Sequence, residues 1–556
     1  MTTERAPTPV NLADVRGLVS AIDEVVTAAV SAAARATNNG KAIDDHQVHS
    51  ERIAYVATEL EACKAITAYA ADAHAAGAAE ADLYAEEAAV FAGEVAAKLY
   101  VAARVAAADF GLPDSLLDRT VGSVAMMSRI GDFVSEARVR AIGRRVADGK
   151  GANNAWLPSE DALMVRDSVR GFAEQEVAPL AEHIHRHDEL VPDSLIAKMA
   201  EMGYFGMAVP EAYGGLEMGN LSMIITTEEL SRVSLAAAGS LITRPEILTK
   251  ALLKGGTEEQ KSKWLGRVAA GEIMVGISVT EPDVGSDVAS VACRAEPTEV
   301  GGQKGYRLNG AKAWCTFAGR ADVLALLART DANPAAGARG LSLFIVEKDP
   351  FGGHEFTMRQ PTGGVLAGKA DATPGYRGMH SFTLSFEDYF VPAENLIGLE
   401  GGLNKGFYLQ MNGFAAGRLQ TGGRATGLAQ AAIEATAIYT GDRKQFKQPL
   451  IGFQLTQYKL GRMAAHTQVA RQLTYHAARA MDADETASLL PAMAKLLSCD
   501  IAVWVTQEGQ LLHGGWGYAE EYAISRYVVD AQVLPIFEGV KPILELKVIA
   551  RQLLGA

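Results

Sequence analysis

A chain of 556 residues is too long for one hydrophobic core, so several domains are expected. Hydrophobic residues make up 49% and charged residues 21%, the balance of a soluble globular protein. A net charge of −14 with no basic run argues against nucleic-acid binding, which needs clustered Lys and Arg, and against a general attraction to anionic membranes.

Residues 1–9 hold no apolar run of signal-peptide type, and the terminal Leu-Leu-Gly-Ala carries no lipidation box. No uncharged apolar span of about 20 residues, the length that crosses a bilayer, is found. Cys63, Cys293, Cys315 and Cys499 are scattered without metal-ligand spacing, so free thiols in a reducing cytoplasm are expected. His46 and His49 stand three apart but lack a third ligand nearby. They read as surface or core histidines, and no metal site is expected.

Residues 12–148 are alanine-rich, and Ile53, Val56, Leu60 and later Val95 and Leu99 recur at helical spacing. A faint repeat links this region to the end of the chain. Gln47–Ala73 can be laid over Gln454–Ala480 and, with a one-residue shift, Phe110-Gly111 over Trp516-Gly517. The first domain would then be a worn copy of the last, with Arg104 in place of Gln510 and Ala108 in place of Gly514. Gly149, Gly151 and Pro158 mark a boundary, so residues 1–150 form an N-terminal helical extension. A second helical domain covers 151–273, and Thr257-Glu258-Glu259-Gln260 resembles a capping start within it.

From residue 274 short strands replace helices: 275–280, 306–316, 323–329, 341–346 and 382–391. They predict an antiparallel β domain over 274–398, with a long Gly- and Pro-containing loop from Gln360 to Gly378. Helical spacing returns for a last domain over 399–556. The fold class is therefore α+β, mostly α.

Four short stretches carry the chemistry. Leu511-Leu512-His513-Gly514-Gly515-Trp516-Gly517 offers a glycine turn that backbone can use to approach a ligand. Pro535-Ile536-Phe537-Glu538-Gly539 places one carboxyl in apolar company, the setting for a general base toward a weak carbon acid. Alone, it reads first as a Glu exposed at a helix start, and the rest of the chain reverses that reading. Val279-Thr280-Glu281-Pro282-Asp283-Val284-Gly285-Ser286 ends a strand in a loop offering backbone N–H groups and hydroxyls. Asn309-Gly310-Ala311-Lys312-Ala313-Trp314-Cys315-Thr316 is a turn entering a strand, with Trp314 and Thr316 on one face by period two.

Together and in this order, the set resembles the acyl-CoA dehydrogenase family over about residues 160–555. Phe386-Glu387-Asp388, Arg418 before Gly427-Leu428-Ala429, and Asp442-Arg443-Lys444-Gln445-Phe446 extend the match. The resemblance implies an α domain, an antiparallel β domain and a four-helix α domain with FAD between them, preceded here by the extra helical domain. It implies Glu538 as the base that removes the proton α to a thioester, while the β hydrogen leaves as hydride to flavin N5. The backbone N–H of Glu538, beside Gly539, would hold the carbonyl oxygen.

Thr280 matches a position at the flavin edge, Trp314 and Thr316 the pair beside the flavin ring, and Ser286 a position near both FAD and acyl-CoA. Arg443, Gln510 and Gly514 match contacts to the FAD of a neighbouring subunit, and Arg418 a position near the CoA entrance. Electrons would pass to an electron-transfer flavoprotein. Some members place the base one residue before the arginine matching Arg418; here that residue is Gly417, which leaves Glu538. Val540 and Pro542 depart from residues that often contact FAD.

With its N-terminal extension the chain looks most like a member of the family that carries such a domain, and that resemblance implies a short branched dicarboxylyl-CoA as substrate. Its free carboxylate needs a cation, for which Arg244 is the first candidate and Arg377 the second; a salt bridge of Arg244 with Glu246 is the competing reading. A fused domain covering the surface where relatives pair into tetramers predicts a homodimer. A branched monocarboxylyl-CoA dehydrogenase, an acyl-CoA oxidase and a non-catalytic scaffold are the alternatives.

Overall fold

The computed structural model describes residues 8–555; residues 1–7, read above as lacking a signal-type run, and Ala556 lie outside the described residues. The chain divides into two compact units, one built from residues up to Val165 together with those from Thr421 onward, the other from Arg166–Gln420.

The first unit opens with α1 (Leu12–Ala36), α2 (Gln47–Ala75), α3 (Ala81–Val105) and α4 (Glu136–Asp148). Asn11 caps α1 by accepting from Ala13 N at 2.9 Å. Val15, Leu18, Val19, Ile22, Val25 and Val26 form its buried stripe. Ile53, Val56 and Leu60 of α2 and Val95 and Leu99 of α3 are likewise buried.

In the second unit, α5 (Ala178–His187), α6 (Thr243–Gly255) and α7 (Glu258–Ala269) precede the sheet. Thr257 and Gln260 form the anticipated capping box at the start of α7, with bonds of 3.1 and 3.3 Å. The strands are β1 (Val275–Ser278), β2 (Arg294–Val300), β3 (Gln303–Thr316), β4 (Val323–Arg329), β5 (Leu341–Glu347), β6 (Glu355–Arg359), β7 (Val365–Ala370) and β8 (Ser381–Pro392). They form one sheet in the order β1-β4-β2-β3-β8-β7-β6, with β5 paired to β4.

Two expectations are corrected here. The sheet is mixed, because β1 runs parallel to β4, with Val275 opposite Val323. The long loop also contains β7, which pairs with both β6 and β8. Val-Leu-Ala-Gly-Lys-Ala has little β-propensity, and the strand is held by its neighbours rather than by its own residues. Every residue of β4 is buried. Leu248, Leu252, Trp264, Leu265 and Val268 of α6 and α7 join Val323, Ala325, Leu327, Leu343 and Ile345 in one core.

The long helix α8 (Gly406–Asp442) passes from the second unit into the first, which α9 (Gln454–Ala483) and α10 (Leu489–His513) complete. Within this unit α9 packs against α2, α3, α4 and α10. Helices α4 and α9 cross at Gly143 and Gly461. A Cβ on Gly143 would stand 1.8 Å from the Gln457 carbonyl oxygen, and one on Gly461 2.0 Å from that of Val139. Only glycines permit such a backbone-to-backbone crossing.

Glu94 of α3 ties the same helices together. It accepts from Arg462 Nε at 2.8 Å and Nη2 at 2.9 Å, and pairs with His466 Nε2 at 2.9 Å. Burial alone would raise its pKa, but His466 and Arg462 outweigh that and hold it at about 2. Tyr55 of α2 donates to Asp500 at 2.9 Å, which also accepts from Lys541 at 2.6 Å.

Helices α3 and α10 each have 25 residues, and each is followed after one residue by a four-residue helical turn, Ala107–Phe110 and Gly515–Tyr518. Counted from the helix ends, Ala106 stands where Gly514 is and Ala102 where Gln510 is. This is two residues away from the register drawn on sequence, which alanine-rich helices define poorly. Helices α1 and α10 are long and apolar enough to cross a membrane by composition, and 44% and 72% of their apolar windows are buried inside the fold. All four cysteines are free and buried.

Candidate active site

In the helical unit, the chain leaves the helix Ile524–Ala531 and turns through Phe537-Glu538-Gly539. Glu538 has φ 55° and Gly539 φ 98°. A left-handed glutamate is a strained residue, and such strain concentrates at functional positions. Its side chain is partly buried. The surroundings differ from the purely apolar setting expected, since two buried cations flank the turn. Lys495 of α10 is 1% exposed and donates its Nζ to the Gly539 carbonyl at 2.7 Å. Arg424 of α8 is 0% exposed, with its guanidinium 4.6 Å from the Phe537 ring centroid.

Sequence reasoning missed both residues. For Lys495 the available signal was a lone cation within an apolar helical run, which is rarely buried without a task; Arg424, set among Thr421, Gly422, Gly423 and Thr426, gave no such signal. Val540 caps the next helical turn, and Pro542 occupies its first positions, where a missing N–H costs nothing.

At the end of α10, Gly514 takes φ 62° and is exposed. Gln510 donates to the Gly517 carbonyl at 3.0 Å. A Cβ on Gly517 would lie 2.3 Å from the Gln510 oxygen, so this last glycine closes the turn. Buried His513 stacks on Tyr439 with centroids 4.3 Å apart, and burial lowers its pKa. Arg443 is exposed at the root of a small hairpin, Lys444–Gln445 against Gln448–Pro449, whose tip presents Phe446 at 88% exposure.

In the second unit, Trp314 lies on β3 at an irregularity in its pairing with β8, with φ 56°, and is 60% exposed. Cys315 is buried, and Thr316 is partly buried, its hydroxyl 3.0 Å from that of Ser381. Thr280 is brought beside this strand by its carbonyl, which accepts from Ala313 N at 2.8 Å. Beneath it lies an ion pair that sequence reasoning also missed. Fully buried Lys312 donates to Glu281 and to the Val279 carbonyl, both at 2.9 Å, and Glu281 accepts from Ala292 N and Cys293 N at 2.8 Å. These bonds fix the loop that carries Ser286, which is itself exposed. A broad aromatic face left open beside hydroxyls fits a stacked flat ring such as flavin.

Arg244, in the first turn of α6, is 5% exposed and donates to the Ser240 carbonyl at 2.9 Å. The Tyr376 ring lies 6.0 Å from its guanidinium. Glu246, offered by the sequence as its ion-pair partner, instead accepts from Gln420. Among the described residues no carboxylate forms an ion pair with Arg244. Arg377 is engaged with Asp188 at 3.5 Å and with the Thr373 and His185 carbonyls, both at 3.2 Å. Arg418 on α8 is partly buried, and the neighbouring Gly417 is buried.

Three family descriptions match the chain: acyl-CoA dehydrogenase N-terminal domain over residues 159–272, middle domain over 276–389 and C-terminal domain over 404–554. The chain belongs to the acyl-CoA dehydrogenase family, FAD-dependent oxidoreductases that act on CH–CH bonds. It is 42% identical over 427 residues to (2S)-methylsuccinyl-CoA dehydrogenase of Cereibacter sphaeroides, which covers 75% of this chain and 74% of that one. It is 36% identical to the mitochondrial 2-methylacyl-CoA dehydrogenase of Solanum tuberosum, over 72% of this chain and 92% of that one. A solved glutaryl-CoA dehydrogenase in complex with glutaryl-CoA superposes with TM-score 0.65 at 30% identity, over 72% of this chain and 98% of that one.

Proposed function

We propose that this enzyme dehydrogenates a short branched dicarboxylyl-CoA, (2S)-methylsuccinyl-CoA to mesaconyl-CoA. The observation that carries the dicarboxylate reading is Arg244, a buried guanidinium without a carboxylate partner among the described residues. It stands in the first turn of α6, where the helix dipole adds positive potential. A cation held there out of water is costly unless an anion joins it.

When bound, FAD supplies the two-electron acceptor for the β hydrogen. Glu538 takes the α proton on its carboxylate, and its backbone N–H donates to the thioester oxygen as negative charge develops there. Lys495 fixes the turn by its bond to the Gly539 carbonyl. Thr280, Ser286, Trp314 and Thr316 would hold FAD within the chain, while Arg443, Gln510 and Gly514 would reach the FAD of a second copy. Ser286, Arg418, Gly539 and Arg244 would contact the acyl-CoA. An electron-transfer flavoprotein takes the electrons, and the cytoplasm is the expected compartment. A homodimer is the expected assembly, because α2, α3 and α4 already cover α9; a tetramer by light scattering at micromolar concentration would count against it. The relative named for 2-methylacyl-CoA supports a second reading, a branched monocarboxylyl-CoA dehydrogenase.

The test is anaerobic flavin absorbance on adding methylsuccinyl-CoA to the yellow protein, beside Glu538→Gln. Bleaching in the wild type and none in the variant is expected. Bleaching only with monocarboxylyl-CoAs removes the dicarboxylate reading, and peroxide release in air without an acceptor points to an oxidase. No bleaching with any acyl-CoA leaves only the scaffold.

A further inference from the structure

Five of the eleven histidines, His183, His185, His187, His354 and His380, belong to the second unit. Two of them converge with a carboxylate that sequence spacing places far away. Asp188 ends α5 in the left-handed region at φ 55°, His354 immediately precedes β6, and His380 immediately precedes β8. One ligating atom from each of Asp188, His354 and His380 can be chosen so that all lie within 4.8 Å of one another. His380 Nε2 stands 3.2 Å from Asp188 Oδ1, and the two imidazole rings are 4.5 Å apart at a tilt of 37°.

Tetrahedral zinc with bonds of about 2.0–2.1 Å separates adjacent ligand atoms by about 3.4 Å. The His380–Asp188 pair already has that spacing. His354 is exposed, so its ring can turn to close the third edge. His380 is held firmly, since it is 7% exposed and its own carbonyl accepts from Phe317 N at 2.8 Å. Arg377 Nε lies 3.5 Å from the same Asp188 Oδ1, so an ion seated on it would share the oxygen with the guanidinium.

We propose that Asp188, His354 and His380 bind one divalent cation of borderline softness, zinc foremost, through two imidazole nitrogens and a carboxylate oxygen, with water in the fourth position. Two nitrogens and one oxygen suit zinc better than magnesium or calcium, which take oxygen ligands. The ion would join the end of α5 to the starts of β6 and β8. Ser381, next to His380, shares its hydroxyl contact with Thr316, so an occupied site would brace the strand carrying Trp314 and Thr316.

The experiment is calorimetric titration of chelator-treated yellow holoprotein with zinc chloride, with the melting temperature read in parallel. Wild type should take one zinc per chain and melt higher with it. His354→Ala and Asp188→Asn, the latter keeping a residue that tolerates the left-handed backbone, should bind at least about tenfold more weakly and lose the stabilisation. His476→Ala, at an exposed histidine elsewhere, should behave as wild type. Absence of saturable zinc binding by the wild type, or equal affinity in wild type, His354→Ala and Asp188→Asn, would overturn the proposal.

Discussion

Replacing Arg244 by Met separates recognition of a dicarboxylate from the rest of catalysis. The side chain is 5% exposed, and its hydrogen bond to the Ser240 carbonyl is a single 2.9 Å contact. Breaking a buried pair by removing one partner costs about 3–5 kcal/mol, which is a fall of a few hundred- to a few thousand-fold in kcat/KM for methylsuccinyl-CoA. Turnover of 2-methylbutyryl-CoA, which has no second carboxylate, should stay within a few-fold of wild type. Stability should move the other way. The variant loses one hydrogen bond, worth about 1 kcal/mol, but it no longer buries a cation, which costs several kcal/mol. Its melting temperature should equal or exceed that of wild type. Steady-state rates with the two substrates, together with a thermal melt, decide the matter. An equal loss for both substrates, or a marked fall in melting temperature, would show that Arg244 serves the fold and not the substrate.

Lys495→Met should retain FAD yet slow anaerobic flavin bleaching about ten- to a hundred-fold, because a charge-assisted bond to the Gly539 carbonyl is worth about 1.5–3 kcal/mol; an unchanged rate would remove Lys495 from the positioning of Glu538. Glu94, held at about 2 against an ordinary 4.5, contributes stability that is present above pH 4.5 and lost as pH falls toward 2. That shift corresponds to about 3 kcal/mol. Glu94→Gln should therefore unfold more easily in denaturant at pH 7 and show a shallower decline in stability through the acid range, and a parallel decline in both proteins would contradict the pairing with Arg462 and His466.

Much of the architecture could be read from local pattern. Strand β4 is apolar up to its terminal Arg329 and β5 is apolar apart from Ser342 and Glu347, and their buried residues lie where that pattern puts them. Strand β2 was invisible because Arg-Ala-Glu-Pro-Thr-Glu-Val is mostly exposed and carries a proline, and β7 because its neighbours rather than its residues make it a strand. At the site, Glu538 and Gly514 stood out in the sequence through the Phe-Glu-Gly and Gly-Gly-x-Gly stretches that hold them. Lys495, Arg424 and the Lys312–Glu281 pair were not legible. Their meaning depends on which carbonyl, ring or loop the fold brings to them across many residues of chain. The same reason hid Asp188, His354 and His380, whose separation in sequence exceeds the short ligand spacings of metal motifs.

The glycine crossing of α4 and α9 bears on how the N-terminal domain could be moved. Neither Gly143 nor Gly461 touches a reacting group, yet a methyl on either would drive into the facing carbonyl. A fusion of residues 1–150 to another member of the family would therefore need a glycine waiting at the position of Gly461 in the recipient. The pair works as a keyed joint, half on the transplanted helices and half on the host. A recipient with alanine there would hold the added domain on its tether without seating it.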